Sequence, residues 1–591
     1  MAVILSGCAS YGAGLQKGLK EARSGQYAQA EQTITKELSP TGSDKLLYHM
    51  ELGVLAHLQG QYSKSNQLLE KAERIAESLE KRSTSDNLAA AMLNPREGSY
   101  QGTFFEKVFI NYYKSLNYLA LSQQATNNND WITNLENSRV EARRMIIKLN
   151  DLNDQKGDYK VLKDKDEETF ASIMKVLAIL AGDLIDEDKF EYRDDAYAHY
   201  LTGLSFELNQ EWDDARISYE KAAKSYELGF AKQYQLGKDM TQQAWLDTAR
   251  MMKTVGGYSS RLDRIKKKKL NSQSRKELKN WNKNKAQLLV IEHSGMVPHR
   301  EEMNLVLNVN PVIRSLELSP IFGPGAPDSQ RAWFYVLYAD KSLADIMFRY
   351  LDGSFLGFVM GDFRKTVALG PLYQTAEDLG LISAIGNGLR VTVPYYSPPK
   401  YVAGISTLHV DNQSYDLIQA SRPTLLGIYE QVVTAQSDIQ SALARSALKA
   451  LLAEKAAVEL AKATGGNQFA GLLAGVGKIA TQLTEAAETR NWLMLPDSIR
   501  IKRITLEPGE HHVTLNSEPK RHHRVQQKET VILRAGETTV WQVRTMPNMA
   551  STSGAVSGSK IDKKQPNPKN NSVSKEFATD ELKLKRKKRS I

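Results

Sequence analysis

Side chains able to do chemistry are few in this chain, and they are scattered. A single thiol, Cys8, follows Leu5, Ser6 and Gly7 near the N-terminus. One cysteine excludes an internal disulfide and, without histidines beside it, a structural zinc site. Histidines pair at His511-His512 and at His522-His523. Adjacent strand residues point to opposite faces, so each doublet offers one metal ligand per face. His293, Ser294 and His299 lie close together without a recognisable acid, and read as turn residues. Gly471-Leu-Leu-Ala-Gly-Val-Gly477-Lys478 has the wrong glycine spacing for a phosphate loop, with Ile479 where Ser or Thr belongs. Gly353-Ser354 lacks the spacing of a nucleophile elbow, and no His-Glu-x-x-His occurs. The sequence therefore assigns no catalytic residue, no metal ligand and no cofactor.

Leu5-Ser6-Gly7-Cys8 resembles a bacterial lipobox. The resemblance implies that the Cys8 thiol takes a diacylglyceryl group and, after cleavage, becomes the acylated N-terminus. Two or three acyl chains anchor a protein stably, whereas one binds marginally. Ala9 after the cysteine resembles outer-membrane sorting, so the expected location is the periplasmic face of the outer membrane. Only Ala2 to Leu5 form an apolar run before Cys8, and no Lys or Arg precedes it. A secretory signal wants a positive n-region and about 7–15 apolar residues. The expected start codon therefore lies further upstream. The alternative is a chance Leu-Ser-Gly-Cys on a cytosolic chain.

The elements that must position any site come next. At 591 residues the chain exceeds one hydrophobic core. Its apolar fraction, 41%, is at globular levels, so most of it should fold. No stretch reaches the ~20 apolar residues of a membrane span. Three segments align without gaps. Gly18 precedes Gly25, Tyr27 and Ala30; Gly53 precedes Gly60, Tyr62 and Ser65; Gly203 precedes Gln210, Trp212 and Ala215, running on to Tyr219 and Ala222. The first two are offset by 53 − 18 = 35 positions, near the ~34-residue period of the tetratricopeptide (TPR) repeat. Small residues let two antiparallel helices approach, and the aromatic after the turn fills the wedge beside them. Residues 11–256 thus read as a TPR-like α-solenoid behind a truncated signal and lipobox at 1–10. A solenoid's concave face holds peptides or partner helices. An envelope protein in that groove is the expected partner.

Beyond the solenoid the spacing predicts an α+β chain with a small β-sandwich and Ala-rich helices. Residues 257–286, with Lys266 to Lys269 and Trp281, read as a charged linker or solvated helix. Residues 287–420 are β-rich and mixed. Gln287–His293 is an apolar strand, Met303–Val309 is expected to pair back on it, and 311–387 looks like an insertion. Residues 421–491 form an Ala-rich helical segment broken at Gly465-Gly466. Residues 492–548 are expected as hairpins: Ser498–Leu506 returning as His511–Leu515, and Thr530–Leu533 returning as Thr539–Arg544. They would complete a sandwich with the strands near 287–309. The segment 549–591 is polar and basic, and disorder is expected there. From Ser551 it holds 11 Lys and Arg against 4 Asp and Glu, 11 − 4 = +7 of the chain's net +10. An exported tail of this kind would contact anionic envelope polymers, a cytosolic one nucleic acid, and a solubilising tail with no dedicated partner is the equal alternative.

One resemblance covers about two-thirds of the sequence. Thr489-Arg490-Asn-Trp492-Leu-Met-Leu495-Pro496 and Leu506-x-Pro508-Gly509-x-His511, following a strand like Leu288–His293 and an Ala-rich helix, are similar to an uncharacterised family of bacterial TPR lipoproteins. The family has no established activity, and its Trp-x-x-Leu-Pro and Pro-Gly-x-His motifs read as turn and packing devices. The resemblance implies a non-enzymatic envelope lipoprotein, a scaffold or assembly factor, lipid-anchored through Cys8. Two rivals stay open: a polysaccharide-acting enzyme with its site in 311–420, and a cytosolic TPR adaptor with a basic nucleic-acid-binding tail.

Overall fold

The computed structural model describes residues 14–83, 95–96, 98–154, 172–173, 175–177, 180, 194–322, 328–338, 364–386, 388–397, 402–463, 486–520, 523–547, 549 and 556–557. Cys8, its lipobox, His522 and nearly all of the basic tail lie outside them. The architecture is α+β.

Helices build the N-terminal half. They are α1 (Gln16–Arg23), α2 (Tyr27–Glu37), α3 (Lys45–Leu58), α4 (Tyr62–Ser83), α5 (Phe104–Gln124), α6 (Asn128–Asp154), α7 (Ala196–Leu208), α8 (Trp212–Ser225) and α9 (Asp239–Val255). Each packs against the one before it. Their ends follow local chemistry. Glu106, in the first turn of α5, reaches back to the Thr103 N–H, and Asp195 accepts from Tyr197 and Ala198 at the start of α7. The charged stretch after α9 is not a bare linker. It forms α10 (Ser259–Lys268) and α11 (Ser272–Asn280), which bury Ile265 and Leu278, with Leu270 between them, against the array. Their lysines point outward, which is why composition alone suggested a solvated tether.

Three sheets follow. The first has the order β12-β1-β9-β8, from Thr538–Thr545, Ala286–Ser294, Ser498–Leu506 and Ile418–Ser421. The second has the order β13-β11-β10-β6-β7, from Val556–Ser557, Val525–Leu533, Gly509–Lys520, Val402–Val410 and Gln413–Asp416. The third has the order β4-β3-β2-β5, from Lys365–Ala368, Ser315–Pro320, Arg300–Asn310 and Leu389–Tyr396. Within 311–387, β3, β4 and the helices α12 (Asp328–Tyr338), α13 (Leu372–Asp378) and α14 (Leu381–Ile385) belong to the third sheet and its cover, so this stretch is no appended insertion. A long helix, α15 (Pro423–Ala463), packs across β5.

Strand partners differ from the hairpins the sequence suggests. β2 does not return on β1; it pairs with β3 and β5. After β9 the chain leaves the first sheet at the Pro508-Gly509 turn, and β10 pairs with β11 and β6. β12 lies parallel to β1, from Gln287 opposite Thr538 to Ser294 opposite Thr545. The described part of the tail is also held, as Val556 and Ser557 add to the edge of β11 and Tyr27 donates to the Met549 sulfur at 3.9 Å.

A sandwich does form, between the first and second sheets. Ala286, Leu288 and Val290 face Leu408, Val513, Leu515 and Val531, while Leu289 and Ile291 face the helices. Both faces of β1 are therefore covered, which is the condition for an uninterrupted apolar strand. Among the described residues no helix is long and apolar enough to cross a membrane.

Candidate functional site

The three aligned segments share one steric device. A Cβ placed on Gly18 would come 2.8 Å from Ile34, on Gly53 2.7 Å from Leu69, and on Gly203 2.7 Å from Tyr219. Each partner lies sixteen positions on in sequence, across the helix pair. Seven positions after each glycine the backbone turns left-handed, at Gly25 (φ 79°), Gly60 (φ 73°) and Gln210 (φ 62°). Ala30, Ala215 and Ala222 are fully buried in the second helices, Tyr27 and Trp212 are partly buried against the core, and Tyr62 packs edge-on to His57.

The first helices of the second and third pairs, α3 and α7, turn toward the β-module, and the chain itself occupies that side. The irregular stretch 487–497 is threaded against α3 and α5 and is buried almost throughout. Three consecutive N–H groups are caught by two carboxylates. Trp492 donates to Glu106 at 2.8 Å, while Leu493 and Met494 donate to Glu51 at 2.7 and 2.9 Å. Arg490 pairs with Asp44 at 2.9 Å and Glu488 at 2.6 Å, and donates to the carbonyls of Pro95 and Gly98. Edge strand β12 is closed by the Gln123 amide, which both accepts from and donates to the Val540 backbone. Arg503 of β9 crosses to Glu207 of α7 at 2.7 and 3.0 Å and touches the Tyr219 hydroxyl. On this side of α3, α5 and α7 the protein thus docks its own Trp-x-x-Leu-Pro segment and first sheet.

An open space does remain at one corner. A cleft of about 710 Å³ lies between the start of α5, the loop 98–103, strand β5 and α15. That volume falls in the range of small-molecule and peptide sites, ~300–1,000 Å³. Gly427 lets α15 close on this corner, since a Cβ there would meet the Tyr396 hydroxyl at 2.7 Å.

The cleft's buried and ionisable groups come chiefly from β2 and α15. Arg300, at the start of β2, is buried with its guanidinium 4.9 Å from the Tyr396 ring centre. Burial opposes its charge, but Tyr396, Tyr100 and Glu106 keep it firmly protonated. Glu430 of α15 is buried and accepts the first N–H groups of α5, Phe104 at 2.7 Å and Phe105 at 3.3 Å. Burial pushes its carboxyl up to about 7 against those hydrogen bonds. Asp438, two turns further, keeps solvent contact on the cleft wall yet is ringed by protein, and desolvation raises it to about 6. The Gln431 amide donates to the Pro394 carbonyl at 2.6 Å.

None of these residues carried a motif. The signal available was polar interruption: Glu430, Gln431 and Asp438 break an otherwise apolar face that includes Leu426, Val432 and Ile439.

The histidines are placed in ordinary structural roles. His293 and Ser294 are not turn residues; they end β1, and His293 shares a 2.6 Å hydrogen bond with the Tyr112 hydroxyl. His299 meets Glu301 at 3.0 Å. His511 meets Asp411 at 3.1 Å, and His512 meets Thr530 at 3.1 Å on the other face of β10. Among the described residues, no three His, Cys, Asp or Glu side chains converge as a metal site. Comparison with protein-family models and with curated proteins finds no match.

Proposed function

We propose that the chain is a non-enzymatic bacterial envelope lipoprotein, anchored through Cys8, whose TPR-like array serves first as an internal scaffold. The repeated glycine contacts at Gly18, Gly53 and Gly203, each followed by a left-handed turn residue, support the TPR-like reading. The observation that carries the scaffold is the capture of 490–494 by Asp44, Glu51 and Glu106. A solenoid groove that recognises an extended segment is here satisfied in cis, so the array fixes a β-module in place and offers the corner cleft outward. An envelope partner would engage that cleft rather than the groove, and the basic tail would add contact with anionic polymers.

The anchor is tested by metabolic labelling with an alkyne fatty acid, using the gene with its native upstream DNA. Labelling that disappears in Cys8→Ala supports the lipoprotein. A wild-type chain that takes no label sinks the anchor and leaves the cytosolic adaptor as the better reading.

A further inference from the structure

Buried polar atoms without a hydrogen-bond partner among the described residues sit on the cleft wall. The Arg300 Nε and the Gln431 Oε1 are shielded from solvent and have no hydrogen-bond partner among the described residues. Arg300 is 7% exposed and Gln431 3%, and both line the cleft. An unmade hydrogen bond at a buried group costs roughly 1–3 kcal/mol, more at a charge. Such groups persist where an occupant supplies the missing partner. The demands are complementary: Arg300 wants an acceptor, the Gln431 oxygen wants an N–H, and Asp438 lacks a basic partner within salt-bridge distance among the described residues, its hydrogen bond coming from Thr434 at 3.2 Å. Between them the wall is apolar, from Leu79, Phe104, Val393, Pro394 and Ala442.

Length follows from helix geometry. Gln431 and Asp438 are seven positions apart on α15, about 10 Å along its axis. An extended chain advances about 3.3 Å per residue, so three or four residues span that gap.

We propose that the cleft binds a short extended peptide with both termini free. The peptide's carboxylate lies against Arg300, one of its backbone N–H groups meets the Gln431 oxygen, and its terminal ammonium faces Asp438. Small apolar side chains suit the wall. This rests on the binding, non-enzymatic reading of the cleft and names its ligand class.

The test is calorimetric titration of the full chain with tetra-alanine, its N-acetyl form, its C-amide form and the doubly blocked form. The free peptide should bind, and blocking either end should weaken it at least tenfold. In Asp438→Asn the acetyl and free-amine forms should bind alike, while discrimination at the carboxyl end persists. In Arg300→Gln the reverse should hold. Should Arg300→Gln fail to fold, Asp438→Asn decides alone, because its side chain keeps solvent contact on the cleft wall. Binding of no form, or equal binding of all four, overturns the proposal. Neither outcome alters the Cys8 labelling result, so failure of the peptide site and failure of the anchor remain distinguishable.

Discussion

Replacing Glu51 by Gln changes one heavy atom of a fully buried side chain and leaves its shape intact. In the native protein both oxygens of Glu51 accept backbone N–H groups, from Leu493 at 2.7 Å and Met494 at 2.9 Å. In Glu51→Gln one of those N–H groups faces an NH₂ that cannot accept. The loss combines one charge-assisted hydrogen bond and one buried unsatisfied donor, about 2–4 kcal/mol together. Because the damage is confined to a segment docked on α3, it should appear first as local opening of 490–495 rather than global unfolding. Amide exchange at Leu493 and Met494 should accelerate about 30- to 1000-fold, taking 1.36 kcal/mol per tenfold. Exchange in β10 and β11, on the far sheet, should hardly change. Glu51→Asp retains the charge on a shorter stem and should fall between the two. Exchange at 493 and 494 that stays at the wild-type rate in Glu51→Gln would refute the idea that this carboxylate holds the segment.

Two further outcomes are expected. Gly203→Ala should destabilise more than Gly53→Ala in urea titrations, by about 1–3 kcal/mol against a smaller loss. The added methyl at 203 meets the Tyr219 ring, which is fixed through its hydroxyl to Glu207, whereas at 53 it meets the movable end of Leu69. Glu430→Gln should flatten one component of the stability–pH curve. The folded carboxyl titrates at about 7, above the ordinary value of 4.5, because burial disfavours its charge. Its contribution is therefore fully present below pH ~4.5 and is lost as pH rises through 7, worth about 2–4 kcal/mol. His57, depressed to about 4 by burial, works in the opposite direction, costing stability as pH falls below its ordinary 6.5. The decisive quantity is wild type minus Glu430→Gln between pH 5 and 8, where His57 cancels; a flat difference would contradict the buried, uncharged-favouring site.

Local sterics were readable in the sequence and long-range pairing was not. The glycines at 18, 53 and 203 announced close helix contacts because the device repeats in one register, and the structure places all three against a residue sixteen positions on. The apolar run at 287–293 announced a strand, and the cover on both its faces is what the structure adds. Its neighbours escaped detection, because sequence favours adjacent strands as partners. Here Pro508-Gly509 is a crossover between sheets, and β12 reaches β1 from some 250 positions away. Arg300 was the hardest to see. Nothing local distinguishes it from a turn arginine; its burial depends on Tyr396 and on the Arg490 carbonyl, 190 positions away and 3.5 Å from its guanidinium.

The same cleft bears on the question of catalysis. Two carboxyls that titrate near neutrality, Glu430 at about 7 and Asp438 at about 6, are what an acid–base pair requires. Their existing contacts bear on that use. Glu430 is committed, since both its oxygens already accept from the start of α5. A general acid or base must be able to release and present its proton to a substrate. A carboxyl that ties two helices together and rests near half-ionisation is better placed to couple the shape of the corner to its occupant. The enzyme reading also drew its site from 311–420, and of the cleft's wall only Thr392, Val393 and Pro394 come from there. The arrangement therefore accords with the proposed recognition role: Arg300 and Gln431 are held in the wall of the cleft with hydrogen bonds unmet among the described residues.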